Sequence, residues 1–230
     1  MTHASARPQP VSLSQVQING GYWGDRQTIN RQHTIPAIYH QLEKTGHLEA
    51  LNRKRTHPNT RSVIYMFWDS DVGKWLEALG YSLATHPDAD LERLTDDVIQ
   101  RMAGAQDADG YLNTYFSVLE PQNRWRNLRD WHELYNAGHL MEGAIAYTQA
   151  TDKPQAVEVM RRYADLIADT FGPGEEQKHG YCGHPEIEMA LVKLYHTTGE
   201  PRYLQLAQYF VDERGQQPHY FDHEAHERGG

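Results

Sequence analysis

The chain has 230 residues, 39% hydrophobic and 23% charged, enough apolar material for a packed core and too much for a disordered tail. With 22 Lys and Arg against 31 Asp and Glu the formal charge is −9, and no basic run exceeds Arg53-Lys54-Arg55, so nucleic acid and anionic membranes are not expected partners. Mean hydropathy is −0.77, and no apolar stretch approaches the roughly 20 residues that span a bilayer.

Residues 1–10, MTHASARPQP, read as a polar leader without the basic and apolar regions of a secretory signal, and a cytoplasmic product is expected. The segment 11–230 then reads as one continuous domain portion. Val11, Leu13, Val16 and Ile18 alternate with polar residues before Asn19-Gly20-Gly21, which predicts a short strand and a turn. From Asp25 to Lys44 the apolar spacing is helical but interrupted by Pro36, ending near Gly46. Residues 47–62 are polar, show no period, and read as an exposed loop.

Three later segments repeat one another around the turns Ala84-Thr85-His86-Pro87, Ala150-Thr151-Asp152-Lys153-Pro154 and Thr197-Thr198-Gly199-Glu200-Pro201. Each pairs an apolar helix with an amphipathic one: 70–85 with 88–105, 131–150 with 154–170, and 185–198 with 201–213. Leu134 to Tyr147 is apolar or small nearly all round, whereas Ala156 to Ala168 interleaves Glu158, Arg161, Arg162 and Asp165 with Val157, Met160, Ala164 and Ile167. The first pattern is an inner helix and the second an outer one. The expected fold is all-α, an α-solenoid or an α/α toroid of the (α/α)6 type. The chain should hold three αα-hairpins, about half of such a barrel, together with the N-terminal strand and helix.

Polar residues at the starts of the inner helices are the candidates for chemistry. Asp130-Trp131-His132-Glu133 reads as a capping box, which puts His132 in the first helical turn. His132, Asn136, His139 and Gly143 then form one stripe, expected to face a central cavity. Pro185 at a first helical position makes His184 the expected N-cap of the third inner helix. Successive inner helices run the same way, so His132 and His184 should meet at one rim, under the turn-rich segments 107–129 and 172–183. Phe67 and Trp68 stand at the same rim, with Asp69 or Ser70 capping the first inner helix; they could stack on a sugar face or act as a plain hydrophobic staple.

Other signals point to structure. Asp107-Ala108-Asp109-Gly110 lacks the remaining ligands of a calcium loop and reads as a turn. His132 and His139 are too far apart for a usual helical zinc pair, and the one cysteine, Cys182, can form neither an internal disulfide nor a multi-cysteine zinc site. No metal ligand set, cofactor or catalytic carboxylate pair is assigned within the chain.

The segments FWDSDVGKWLEALGYSLATHPD, QDADGYLNTYF, WHELYNAGHLMEGAIAY and GHPEIEMALVKLYHTTGEPRYLQLAQYFVDERGQ resemble the bacterial β-L-arabinofuranosidases of glycoside hydrolase family 127 from about residue 15 onward. The resemblance implies a retaining enzyme releasing non-reducing-end β-L-arabinofuranose, with a cysteine nucleophile at a zinc site of three cysteines and one glutamate, and a second glutamate as acid/base. It places His132 and His184 on the arabinofuranose as hydrogen-bonding residues, and Cys182 and Gly183 beside it as main-chain contacts. No residue here matches the nucleophile, the zinc ligands or the acid/base. The chain is therefore expected to be a truncated barrel, with zinc belonging to the complete enzyme. Its expected partners are an arabinofuranose-containing oligosaccharide and a second half-barrel chain or another copy of itself. A non-catalytic helical-repeat module binding carbohydrate or peptide is the alternative.

Overall fold

A computed structural model describes residues 11–52 and 65–228. Among these the predicted strand is absent: Leu13–Gln15 form one 3-10 turn, and Val11, Leu13, Val16 and Ile18 are all exposed. Alternation predicts a strand only where a partner strand and a buried face exist, and neither is available here. Leader residues 1–10 lie outside the described residues.

Helix α1 (Gly21–Ile29) passes through a π turn at Asn30–Thr34 into α2 (Ile35–Thr45). The π turn falls just ahead of Pro36, whose missing N–H and ring disrupt the α ladder there, so the helix widens instead of breaking. Gly46 ends α2 in the left-handed conformation (φ 89°). The expected loop after it begins instead with α3 (His47–Ala50), whose Leu48 is fully buried and followed by buried Leu51. One turn is too short to show a period. The remainder of that predicted loop, from 53, is outside the described residues.

The three predicted hairpins form: α4 (Trp68–Thr85) with α5 (Ala89–Ala105), α7 (Glu133–Thr151) with α8 (Gln155–Thr170), and α9 (Ile187–Thr198) with α10 (Pro201–Glu213). Inner helices α4, α7 and α9 pack side by side, and α8 and α10 lie outside α7 and α9. Nearly every residue of the first three turns of α7 is buried, whereas α8 buries one stripe, including Val157, Met160, Ala164 and Ile167. Between α4 and α7 the backbones touch: a Cβ at Gly143 would lie 2.5 Å from the Gly73 carbonyl oxygen.

Two connecting segments cover the rim where the inner helices begin. The first includes the short α6 (Thr114–Val118), capped by Asn113, and is tied to α4 by Asp69, whose carboxylate accepts from the Thr114 amide and hydroxyl, each at 2.7 Å. Burial lifts the Asp69 carboxyl to about 6. The last helix, α11 (Tyr220–Glu227), returns to this layer, where buried Glu224 accepts from the Leu128 amide at 2.7 Å. No helix among the described residues is long and apolar enough to cross a membrane.

Candidate functional site

His132 and His184 meet at the rim, their ring centroids 4.8 Å apart at 37°. Neither occupies the predicted position. His132 is itself the residue before α7, in the left-handed conformation (φ 56°), and its side chain caps nothing. The expected capping box does not form. Asp130 instead bonds with Asn127, and Glu133 turns inward to accept from the Tyr111 hydroxyl and the Trp125 amide. His184 precedes the cap of α9, which is Glu186; the Glu186 amide donates to the His184 carbonyl at 2.9 Å, so the chain turns once more before the helix starts.

The Asp130 backbone sets the His132 tautomer. Nδ1 lies 2.5 Å from the Asp130 carbonyl oxygen, an atom that can only accept, so Nδ1 carries the proton and Nε2 keeps its lone pair. Partial burial holds the imidazole pKa below its ordinary value and favours this neutral form. His132 therefore offers an acceptor, suited to a hydroxyl group. His184 beside it is exposed.

Tyr135, which sequence reasoning passed over, sits at the centre of this group. Its ring lies 5.4 Å from His132, 5.3 Å from His184 and 4.5 Å from His139, and its hydroxyl accepts from Lys74 Nζ at 2.8 Å. Its place three residues after His132 was the available signal; Lys74, from α4, had none. An open cleft of about 380 Å³ between α2 and α4 reaches the same Lys74 and its neighbour Asp71.

Phe67 is exposed, with its ring 6.0 Å from His132. Trp68 is buried, with His47 stacked on it at 4.0 Å, so only the first aromatic of the pair is open at the rim. The predicted caps of α4 are not caps: Asp69 binds Thr114, and Ser70 Oγ donates to the Phe67 carbonyl at 2.7 Å.

Only part of the polar stripe on α7 is open. Asn136 is fully buried and donates to the Met66 carbonyl at 2.5 Å, and Gly143 lies against α4. Glycine at 73 and 143 lets the two helices approach so closely that this face is packed, and only His132 and the partly open His139 retain exposure.

Cys182 is buried, and burial pushes its thiol up to about 12. Its carbonyl accepts from Arg214 at 2.9 Å, while the Gly183 amide donates to the Leu128 carbonyl at 3.0 Å. A Cβ at Gly183 would fall 2.0 Å from the Arg129 carbonyl oxygen, so only glycine brings this strip of backbone against the neighbouring rim segment. Iodoacetamide at pH 8 is expected to leave Cys182 unlabelled in the folded chain and to label it fully in urea, checked by intact mass, because the thiolate is the nucleophile and burial suppresses it.

The sequence assigned no metal ligand set, yet a carboxylate–histidine cluster forms. His139 and Glu142, three apart on α7, meet Glu186 from the start of α9, with His139 Nδ1 at 3.2 Å from Glu186 Oε1 and 3.9 Å from Glu142 Oε2. Lys193 pairs with Glu142 and lies 3.8 Å from Glu77. The His-x-x-Glu spacing was visible in the sequence; Glu186 was not, because it arrives across the inner-helix contact.

Comparison with known proteins gives one consistent result. The family profile described as "Beta-L-arabinofuranosidase, GH127 catalytic domain" matches residues 15–229. A non-reducing end β-L-arabinofuranosidase of Bifidobacterium longum subsp. longum is 47% identical over 160 residues, covering 68% of this chain and 24% of its own. Among solved structures, a GH127 β-L-arabinofuranosidase from Geobacillus stearothermophilus T6 superposes with a TM-score of 0.85 at 45% identity, over 93% of this chain and 35% of that one. A second GH127 β-arabinofuranosidase gives 0.82 at 38%, over 90% and 34%. The chain thus spans between a quarter and about a third of the length of these relatives.

Proposed function

Because the chain belongs to the GH127 β-L-arabinofuranosidase catalytic-domain family, we propose that it forms the sugar-recognition part of a retaining glycoside hydrolase that releases non-reducing-end β-L-arabinofuranose. The observation that carries this reading is the His132–His184 pair, with one imidazole fixed as a neutral hydrogen-bond acceptor at the rim. His132 Nε2 accepts from a sugar hydroxyl, His184 supplies a second polar contact, and Phe67 offers an apolar ring edge to the sugar's carbon face. Tyr135, held by Lys74, keeps both rings in place.

Retention needs a nucleophile and a proton donor flanking the anomeric carbon. Cys182 suits neither part, since its thiol is buried and protonated. A zinc site of three cysteines cannot be built from a chain with one cysteine, so these residues do not hold that ion. Glu133 is enclosed behind Tyr111 and does not reach the rim. The nucleophile, the zinc ligands and the acid/base are accordingly assigned to residues outside these 230, on the remainder of the barrel or on a partner chain.

The test uses the purified chain and an aryl β-L-arabinofuranoside. Ligand-detected NMR is expected to show binding that His132→Ala and His184→Ala each weaken about 3- to 10-fold, the effect of one lost hydrogen bond, with no release of arabinose. Undiminished binding in both variants would overturn the subsite. Turnover above background would overturn the placement of the nucleophile and acid outside the chain.

A further inference from the structure

We propose that His139, Glu142 and Glu186 form a divalent-cation site with nitrogen and oxygen ligands, which clamps α7 to the start of α9. One ligand atom from each residue lies within 4.8 Å of the other two. Ligands on an ion at about 2.1 Å sit about 3.0–3.4 Å apart at octahedral or tetrahedral angles, so the 3.2 Å His139–Glu186 separation is already suitable and Glu142 needs only a small side-chain movement.

Two features distinguish this cluster from an ordinary ion-pair network. His139 Nδ1 and Glu186 Oε1 are both cut off from solvent and have no hydrogen-bond partner, although they face one another. Buried polar atoms left so are uncommon, and an ion between them would satisfy both. Two carboxylates, Glu142 on α7 and Glu186 at the start of α9, also converge on this one imidazole. Lys193 is committed to Glu142 Oε1, which leaves Oε2 toward His139.

The close approach is built into the chain. A Cβ at Gly138 would lie 2.7 Å from Glu186 Cγ, so glycine is required there for Glu186 to reach over α7. His139 and Glu186 retain 14% and 13% side-chain exposure, an entry path with room for water as further ligands. One imidazole and two carboxylates, with no sulfur, suit Mn2+ and comparable first-row ions.

The inference does not rest on the glycosidase reading, and its test does not use a sugar. The 230-residue chain, freed of metal with a chelator and dialysed, is titrated with Mn2+ at pH 8, following the free-ion electron paramagnetic resonance signal and the melting temperature. One Mn2+ per chain should bind, and at about a hundredfold excess over Kd the melting temperature should rise about 5–10 °C. Glu186→Gln and His139→Gln, each verified as folded by circular dichroism, should weaken binding at least about tenfold, while His132→Ala should not. Absence of stoichiometric binding, or binding unaltered in both cluster variants, would overturn the site.

Discussion

Gly143→Val is expected to destabilise the chain by at least about 3 kcal/mol and to leave it molten or unfolded at 37 °C. The reason is steric and lies in backbone. The new Cβ would stand 2.5 Å from the Gly73 carbonyl oxygen, 2.8 Å from Leu76 Cβ and 3.3 Å from the Glu77 amide, none of which is the movable end of a side chain. Relief requires α4 and α7, the most extensively packed pair of helices among the described residues, to separate. Even Gly143→Ala should destabilise, although alanine in a helix is normally favoured over glycine by about 0.8–1 kcal/mol. Gly104, in the outer helix α5, supplies the control: nothing lies within 4 Å of a Cβ there, so Gly104→Ala should be neutral or stabilising by up to about 1 kcal/mol. Urea denaturation of the three variants measures both signs, and equal effects at 104 and 143 would refute the close-contact argument.

The second large effect concerns pH. Glu133 is buried beneath the rim segment, and burial raises its carboxyl from 4.5 to about 8 despite the Tyr111 and Trp125 hydrogen bonds and the nearby Arg124. The folded chain therefore keeps a proton that the unfolded chain releases near pH 4.5. Stability from this group is complete below that pH and is lost as pH rises through about 8. Glu133→Gln preserves an acceptor for the Trp125 amide and removes the ionisation. The variant should match the natural chain near pH 4 and exceed it by up to about 5 kcal/mol at pH 9, read from urea midpoints. Glu186 titrates over a similar range in both proteins, so the difference between the two curves isolates Glu133. Parallel curves across pH 5–9 would show that Glu133 is ionised in the fold.

Several residues show why site positions are harder to read than helices. Asp130 and Glu133 have capping-box spacing, yet Glu133 finds the Tyr111 hydroxyl, which is 22 positions away in sequence and can be met only after the 107–129 segment folds back. Trp68 and Phe67 are adjacent and chemically alike, but His47 covers one and leaves the other open. Asn136 looks like a cavity residue on a helical wheel, and the Met66 carbonyl claims it instead. In each case the competing partner is remote in sequence, and a buried polar group takes whichever partner the packing brings.

By itself the sequence determined the hairpins. Helical period, turn residues and the contrast between apolar α7 and amphipathic α8 are local properties, and they predicted three pairs whose bounds differ from the observed helices by at most two residues. It also determined that His132 and His184 share a rim, because equivalent helices of a repeat run the same way. Tertiary structure alone decided the rest. It fixed the His132 tautomer through the Asp130 carbonyl, placed Tyr135 and Lys74 among the histidines, and gathered His139, Glu142 and Glu186 into one cluster. The cluster follows from where glycines at 73, 138 and 143 let α4, α7 and the start of α9 come together, a contact that no pattern of residue types along one helix encodes.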